Sequence, residues 1–248
     1  MAFPLYLACT AAEFSNPDSL PAHPAWMAGH FSGYSTGLRN LPTFLPAGSM
    51  LILNDRVPAC GHDPNVISAQ LRELAEALNP ACILLDFQRP ENPDTTRIAA
   101  ALADFPVCPL VVSELYAKEL RCPVFLSPPP ADCRLKDWLA PWQGRELWLE
   151  AALDSTLITV TETGSFRRTE TYSQPPADCF RETALHCRYR IRVTEDSVRL
   201  HLFRTQEDLK ALLQEAETLG VTGAAGLYQE LGNFTAEREE SEQRNDCL

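Results

Sequence analysis

Residues 81–92 read ACILLDFQRPEN. Cys82, Ile83, Leu84 and Leu85 form an apolar run that ends in Asp86, Phe87, Gln88, Arg89 and Glu91, with Pro90 restraining the turn. An apolar run without polar alternation marks a strand buried on both faces, which is the pattern of a parallel sheet covered by helices. In a closed parallel barrel the C-terminal strand ends surround the functional site. The polar cluster at this strand end is therefore a candidate for chemistry. The plain alternative is a solvated cap where a loop meets water.

Outward from this strand the same rhythm recurs. Apolar runs at 4–9, 49–55, 108–113, 123–127, 146–152, 198–203 and 222–228 join 82–87 to make eight candidate parallel strands. Helical segments lie between them. After 49–55, Asp63 is a natural N-cap and Pro64 a natural first helical residue. Ile67, Leu71, Leu74, Ala75 and Leu78 then fall on one helical stripe. Thr205 with Asp208 forms a capping-box-like start for a helix whose stripe is Leu209, Leu212, Leu213 and Ala216, and Gly220 is its expected stop. Strand–helix alternation over this length predicts a (β/α)8 TIM-barrel-like α/β fold rather than an open doubly wound sheet. An open sheet usually carries a glycine-rich phosphate turn after its first strand. Here CTAAEFSNPD follows, with no GxGxxG or GxxxxGK[ST] anywhere.

The alternation breaks around 155–197, where TLITVTET and the pair YRIRV and VRLHLF, joined by TEDS, predict a β-hairpin insertion. A barrel over 1–232 with that insertion, followed by a charged tail at 233–248, is the expected organisation. Segment 10–48 has no clear period but contains Trp26, His30, Phe31, Tyr34 and Arg39. It is expected to fold over the barrel mouth.

At 248 residues, the chain has the length of one such barrel. Its net charge of −12 argues against nucleic acid and anionic membranes as partners. No apolar run approaches the ~18 residues of a membrane span. The nine cysteines are odd in number and include no CxxC, which points to free thiols and a cytoplasmic, reducing setting. The apolar start MAFPLYLAC lacks a basic leader and reads as a first strand rather than a signal peptide. His23, His30, His62, His186 and His201 show no metal-ligand spacing, so no metal and no cofactor is expected.

The strand ends supply the candidate site. Asp86, Glu91, Glu150 and Glu230 are the candidate catalytic carboxylates; Asp55, Gln88, Arg89, Glu114 and Tyr228 are the candidate substrate-binding residues. Converging carboxylates suit glycoside chemistry, in which one acid protonates the leaving oxygen and another group supports the cation-like centre. Ion pairing or capping, for instance of Asp86 with Arg89, explains the same residues without chemistry.

ACILLDFQ also resembles the signature strand of family 18 glycoside hydrolases, the chitinase-like (β/α)8 barrels, which reads like D-G-I-D-L-D-W-E. In the resemblance Asp86 matches the Asp beside the aromatic, Phe87 the aromatic, and Gln88 the Glu that is the family's general acid. Leu84 stands where the family has its middle Asp. GLYQELG (226–232) is similar to the last strand, which carries an aromatic in the family. Two departures bear on function. A glutamine has no proton to donate to a leaving group, and the middle Asp is missing. By the count above the strand is third, whereas the family's is fourth; a strand within 10–48 would reconcile them. The resemblance implies a barrel that binds or hydrolyses a carbohydrate or small polar ligand at its mouth. It leaves open whether the chain is an enzyme. The alternative is a non-catalytic barrel acting as a structural or interaction module.

Overall fold

The computed structural model describes residues 3–16, 19–34, 36–170 and 178–232. In chain order its elements are β1 (Leu5–Cys9), α1 (Ala11–Phe14), β2 (Pro24–Phe31), β3 (Leu38–Arg39), β4 (Met50–Asn54), α2 (Pro64–Leu78), β5 (Cys82–Asp86) and α3 (Pro93–Leu102). They continue with β6 (Leu110–Ser113), α4 (Glu114–Ala117), β7 (Val124–Leu126), α5 (Leu135–Leu139), β8 (Leu147–Ala151), β9 (Ser155–Thr161), β10 (Gly164–Glu170) and β11 (Phe180–Glu182). The last four are β12 (Cys187–Val193), β13 (Ser197–Phe203), α6 (Gln206–Thr218) and β14 (Val221–Leu227).

The first sheet runs β1-β14-β8-β7-β6-β5-β4-β2-β3, and β1 also pairs with β2. Eight parallel strands thus close into a barrel, and β3 adds an antiparallel ribbon to β2. The (β/α)8 expectation holds, but its membership changes at two places. The segment 198–203, read as a parallel strand, is β13, and it lies antiparallel between β12 and β9. Its sequence SVRLHLF alternates apolar with Arg and His, the signature of a half-buried antiparallel strand. The missing barrel strand is β2, inside the aperiodic segment 10–48. Its residues PAWMAGHF alternate poorly, and a register irregularity between Trp26 and Gly29 interrupts its pairing with β4. With β2 counted, β5 is the fourth barrel strand.

Two compact units result, one built on the barrel and one on the antiparallel strands. In the barrel, inward-facing residues alternate along each strand. Tyr6 and Ala8, Met50 and Ile52, Cys82 and Leu84, together with Phe125, Trp148 and Ala225, fill the interior. Trp148 stacks on Tyr6 with ring centroids 5.8 Å apart. Gly223 faces the indole so closely that a Cβ there would stand 2.6 Å from a ring carbon. α2 begins as its sequence predicts, with Asp63 accepting a hydrogen bond from the Asn65 amide and Pro64 in the first turn, and it buries Ile67, Leu71 and Ala75.

The second unit carries the five-stranded antiparallel sheet β10-β9-β13-β12-β11. Cys187 and Leu202 are buried on one face of it, with Ile158, Tyr189 and Leu200 packed against them. α6 starts with the Thr205–Asp208 capping box. Arg204, nearly fully buried, donates from Nη1 to the Pro129 carbonyl at 2.5 Å. The eight cysteines among the described residues are all free thiols; Cys247 and the tail 233–248 lie outside those residues. Among the described residues, no helix is long and apolar enough to cross a membrane.

Candidate functional site

The alternation that fills the barrel also builds its mouth. One step beyond the inward pairs Met50/Ile52 and Cys82/Leu84, the same phase brings Asn54 and Asp86 inward. One step beyond Trp148 it brings in Glu150. These three residues line a cavity of about 600 Å³ at the C-terminal strand ends. Ile52, Leu84, Phe125 and Ala225 contribute its apolar lining, and Thr10, His30, Asn40, Asp55, Arg56, Gln88 and Arg89 line it as well.

The loop after β5 is held from both sides. Asp55, buried at the end of β4, accepts the Gln88 amide on Oδ1 at 3.1 Å and the Arg89 amide on Oδ2 at 3.0 Å. Arg89 returns the contact, donating from Nε to the Asp55 carbonyl at 2.8 Å and from Nη2 to the Arg56 carbonyl at 2.6 Å. On the β6 side, Ser113 Oγ donates to the Phe87 carbonyl at 2.7 Å and accepts the Phe87 amide at 3.2 Å. Tyr116 Oη donates to the Arg89 carbonyl at 3.2 Å. Phe87 is fully buried beside Phe31 and Tyr116. Turning Phe87 into the protein leaves Asp86 and Gln88 on the cavity side. Asp55 is thus committed to the loop's backbone, with both of its oxygens used.

Gln88 donates from Nε2 to Asp86 Oδ1 at 2.9 Å. Burial pushes the Asp86 carboxyl above the usual carboxylate range; the Gln88 hydrogen bond opposes this, and the nearby Asp55 charge adds to it. On β2, His30 Nδ1 lies 2.7 Å from the Phe31 carbonyl and its Nε2 lies 3.0 Å from Asn40 Nδ2. Asn40 has a left-handed backbone (φ 52°), and its carbonyl accepts the Trp26 indole N–H at 2.8 Å.

Of the residues expected at the site, Asp55, Asp86, Gln88, Arg89 and Glu150 line the cavity. Glu114, first in α4, accepts the Ser127 amide at 3.2 Å and is not among the lining residues. Glu91 is exposed and outside the lining, as is half-buried Glu230 beyond β14. Tyr228 turns aside to donate to the Ser19 carbonyl at 3.0 Å, so β14 contributes Ala225, Gly226 and Leu227 rather than an aromatic. Sequence reasoning missed Thr10 and Asn40, and it noted His30 only as part of segment 10–48. The available signal was the Trp26–Asn40 stretch itself, rich in polar and aromatic side chains but without a period. Among the described residues, no group of three or more His, Cys, Asp or Glu could hold a metal ion.

No protein-family model matches this sequence, and no curated protein matches it. Solved structures do resemble it in fold. A chitinase from Chromobacterium violaceum superposes with a TM-score of 0.57 at 11% identity, over 95% of this chain and 97% of its own. The chitinase-like agglutinin of Robinia pseudoacacia gives 0.56 at 11% identity, over 94% and 98%. A GH18 chitinase of Cycas revoluta carrying Gly→Trp and Glu→Gln substitutions, solved in complex with (GlcNAc)4, gives 0.57 at 11% identity, over 94% and 98%. At these identities the likeness is one of fold.

Proposed function

We propose that this barrel binds a chitin-type oligosaccharide at its mouth and does not cleave it. The observation that carries the reading is the Gln88–Asp86 hydrogen bond at the end of the fourth barrel strand. Glycoside cleavage needs a proton donor beside the leaving oxygen. A carboxamide supplies no proton at useful pKa, but it can hydrogen-bond a sugar hydroxyl as donor and acceptor. Apolar lining from Leu84 and Phe125 below polar side chains suits the mixed surface of a sugar ring. The fold neighbours support the class of ligand, since they include both chitinases and an agglutinin, and one Glu→Gln protein was solved with (GlcNAc)4 bound.

The module reading is less well supported. Segment 10–48 contributes Thr10, His30 and Asn40 to the cavity lining and leaves about 600 Å³ of space. A hydrolase reading keeps one favourable observation: Asp86, with its raised pKa, shares the cavity with Glu150. Two carboxyls at one mouth are the usual acid and stabiliser of a glycosidase. A cytoplasmic setting is supported by the odd cysteine count.

Calorimetric titration with (GlcNAc)4, paired with a reducing-end assay, tests the proposal. Saturable binding with no release of reducing ends over a day is expected. Turnover by the unaltered protein favours the hydrolase, and failure to bind any chitin-type oligosaccharide overturns the sugar site.

A further inference from the structure

The charge balance of the mouth narrows the ligand, if the mouth is the sugar site proposed above. Among the described residues, Asp86 receives one hydrogen bond, that of Gln88, and forms no ion pair with a Lys, Arg or His nitrogen. Arg56 and Arg89 line the same cavity, but neither forms an ion pair with Asp86. Arg89 spends Nε and Nη2 on the Asp55 and Arg56 carbonyls. His30 has both ring nitrogens engaged, one with the Phe31 carbonyl and one with Asn40. Arg56 is exposed and forms no ion pair with Asp86. Glu150 adds a second carboxylate to the same cavity, and Asp55 a third nearby.

A desolvated carboxylate without a cation is costly to keep charged, and a ligand that brings the cation removes that cost. A neutral acetamide offers only an N–H, whereas an ammonium offers charge and three donors. The net charge of −12 reinforces this by concentrating cations near the surface.

We infer that the mouth selects a cationic amino sugar, a glucosamine unit with a free 2-amino group, and seats its ammonium against Asp86 in preference to an N-acetylated unit. Asp86 is the specificity-determining residue in this assignment. Gln88 holds it in place, and the Leu84 and Phe125 surface takes the ring.

Calorimetry with (GlcN)4 and (GlcNAc)4 on the full chain, at pH 6 in low salt, is the test. (GlcN)4 is expected to bind at least tenfold more tightly. That preference should collapse in the near-isosteric Asp86→Asn and persist in Glu73→Gln, which removes a carboxylate from the exposed face of α2. Chemical re-acetylation of the same (GlcN)4 preparation repeats the comparison on the unaltered protein, should Asp86→Asn fold poorly. Equal or tighter binding of (GlcNAc)4 overturns the inference and leaves the sugar-site reading standing. Binding of neither ligand overturns that reading as well. A preference for (GlcN)4 that survives Asp86→Asn, or is lost equally in Glu73→Gln, is a diffuse effect of net charge and also overturns the inference.

Discussion

Gln88 Nε2 lies 2.9 Å from Asp86 Oδ1, an amide donating to a carboxylate two residues earlier at the same strand end. The pair leaves Asp86 as an acceptor and Gln88 with no acidic proton. Gln88→Glu converts it into two facing carboxyls, which cannot both ionise freely, so one is forced to hold a proton. Weak release of reducing ends from chitin-type oligosaccharides is expected at mildly acidic pH, where the unaltered protein shows none. A folded, ligand-binding Gln88→Glu protein with no activity between pH 4 and 8 would mean that more than a proton donor is missing.

Asp55 organises the same loop from the neighbouring strand through the amides of Gln88 and Arg89. Asp55→Asn replaces one acceptor oxygen with an NH2 that faces an amide donor, leaving a buried polar group unpaired. The expected cost is about 1–3 kcal/mol, read by urea unfolding, with sugar binding weakened further as the loop loosens. An unfolding curve that overlays the parent's would contradict this account of the loop.

The pH dependence of stability follows from Asp86. Unfolded, its carboxyl ionises near the ordinary 3.8; folded, burial raises the pKa, so the native state keeps a proton that the unfolded chain releases. Stability from this group is therefore greatest below the unfolded value and falls as pH rises through the folded value. Asp86→Asn should flatten that decline and gain on the parent at neutral pH. Thermal melts from pH 3 to 7 measure it; parallel curves for the two proteins would show that burial does not perturb this carboxyl.

Gly223→Ala tests the barrel interior. The new methyl would meet the Trp148 ring at 2.6 Å, and an indole stacked on Tyr6 has little room to retreat. A loss of about 1–3 kcal/mol is expected from overpacking. Unchanged stability would show that Trp148 moves freely.

All nine thiols should react with a thiol reagent under denaturing, non-reducing conditions, consistent with the eight described cysteines being free. Two or more disulfides found by mass spectrometry would contradict both the free thiols and the proposed cytoplasmic setting.

What could be read from residues alone was local. The run Cys82–Leu85 is a buried strand, Asp63–Pro64 starts α2, and Thr205 with Asp208 starts α6. In each case neighbours in sequence satisfy or leave open the backbone groups concerned. The likeness of LDFQ to a chitinase-type strand was legible for the same reason. Strand phase also meant that Asp86 and Leu84 share a face wherever the strand lies.

Tertiary structure alone decided which strands became neighbours. β2 enters the barrel although its sequence lacks a clean period, because β1 and β4 flank it and supply its pairing. β13 leaves the barrel because β9 and β12 pair with it along its length. The membership of the site was settled the same way. Glu150 reaches the cavity by continuing the inward phase of Trp148, while Glu114 spends an oxygen on the Ser127 amide and Tyr228 its hydroxyl on Ser19. Sequence periodicity sets which face of a strand a side chain occupies, but a site is made of groups distant in sequence, and those meet only through the closure of the sheet.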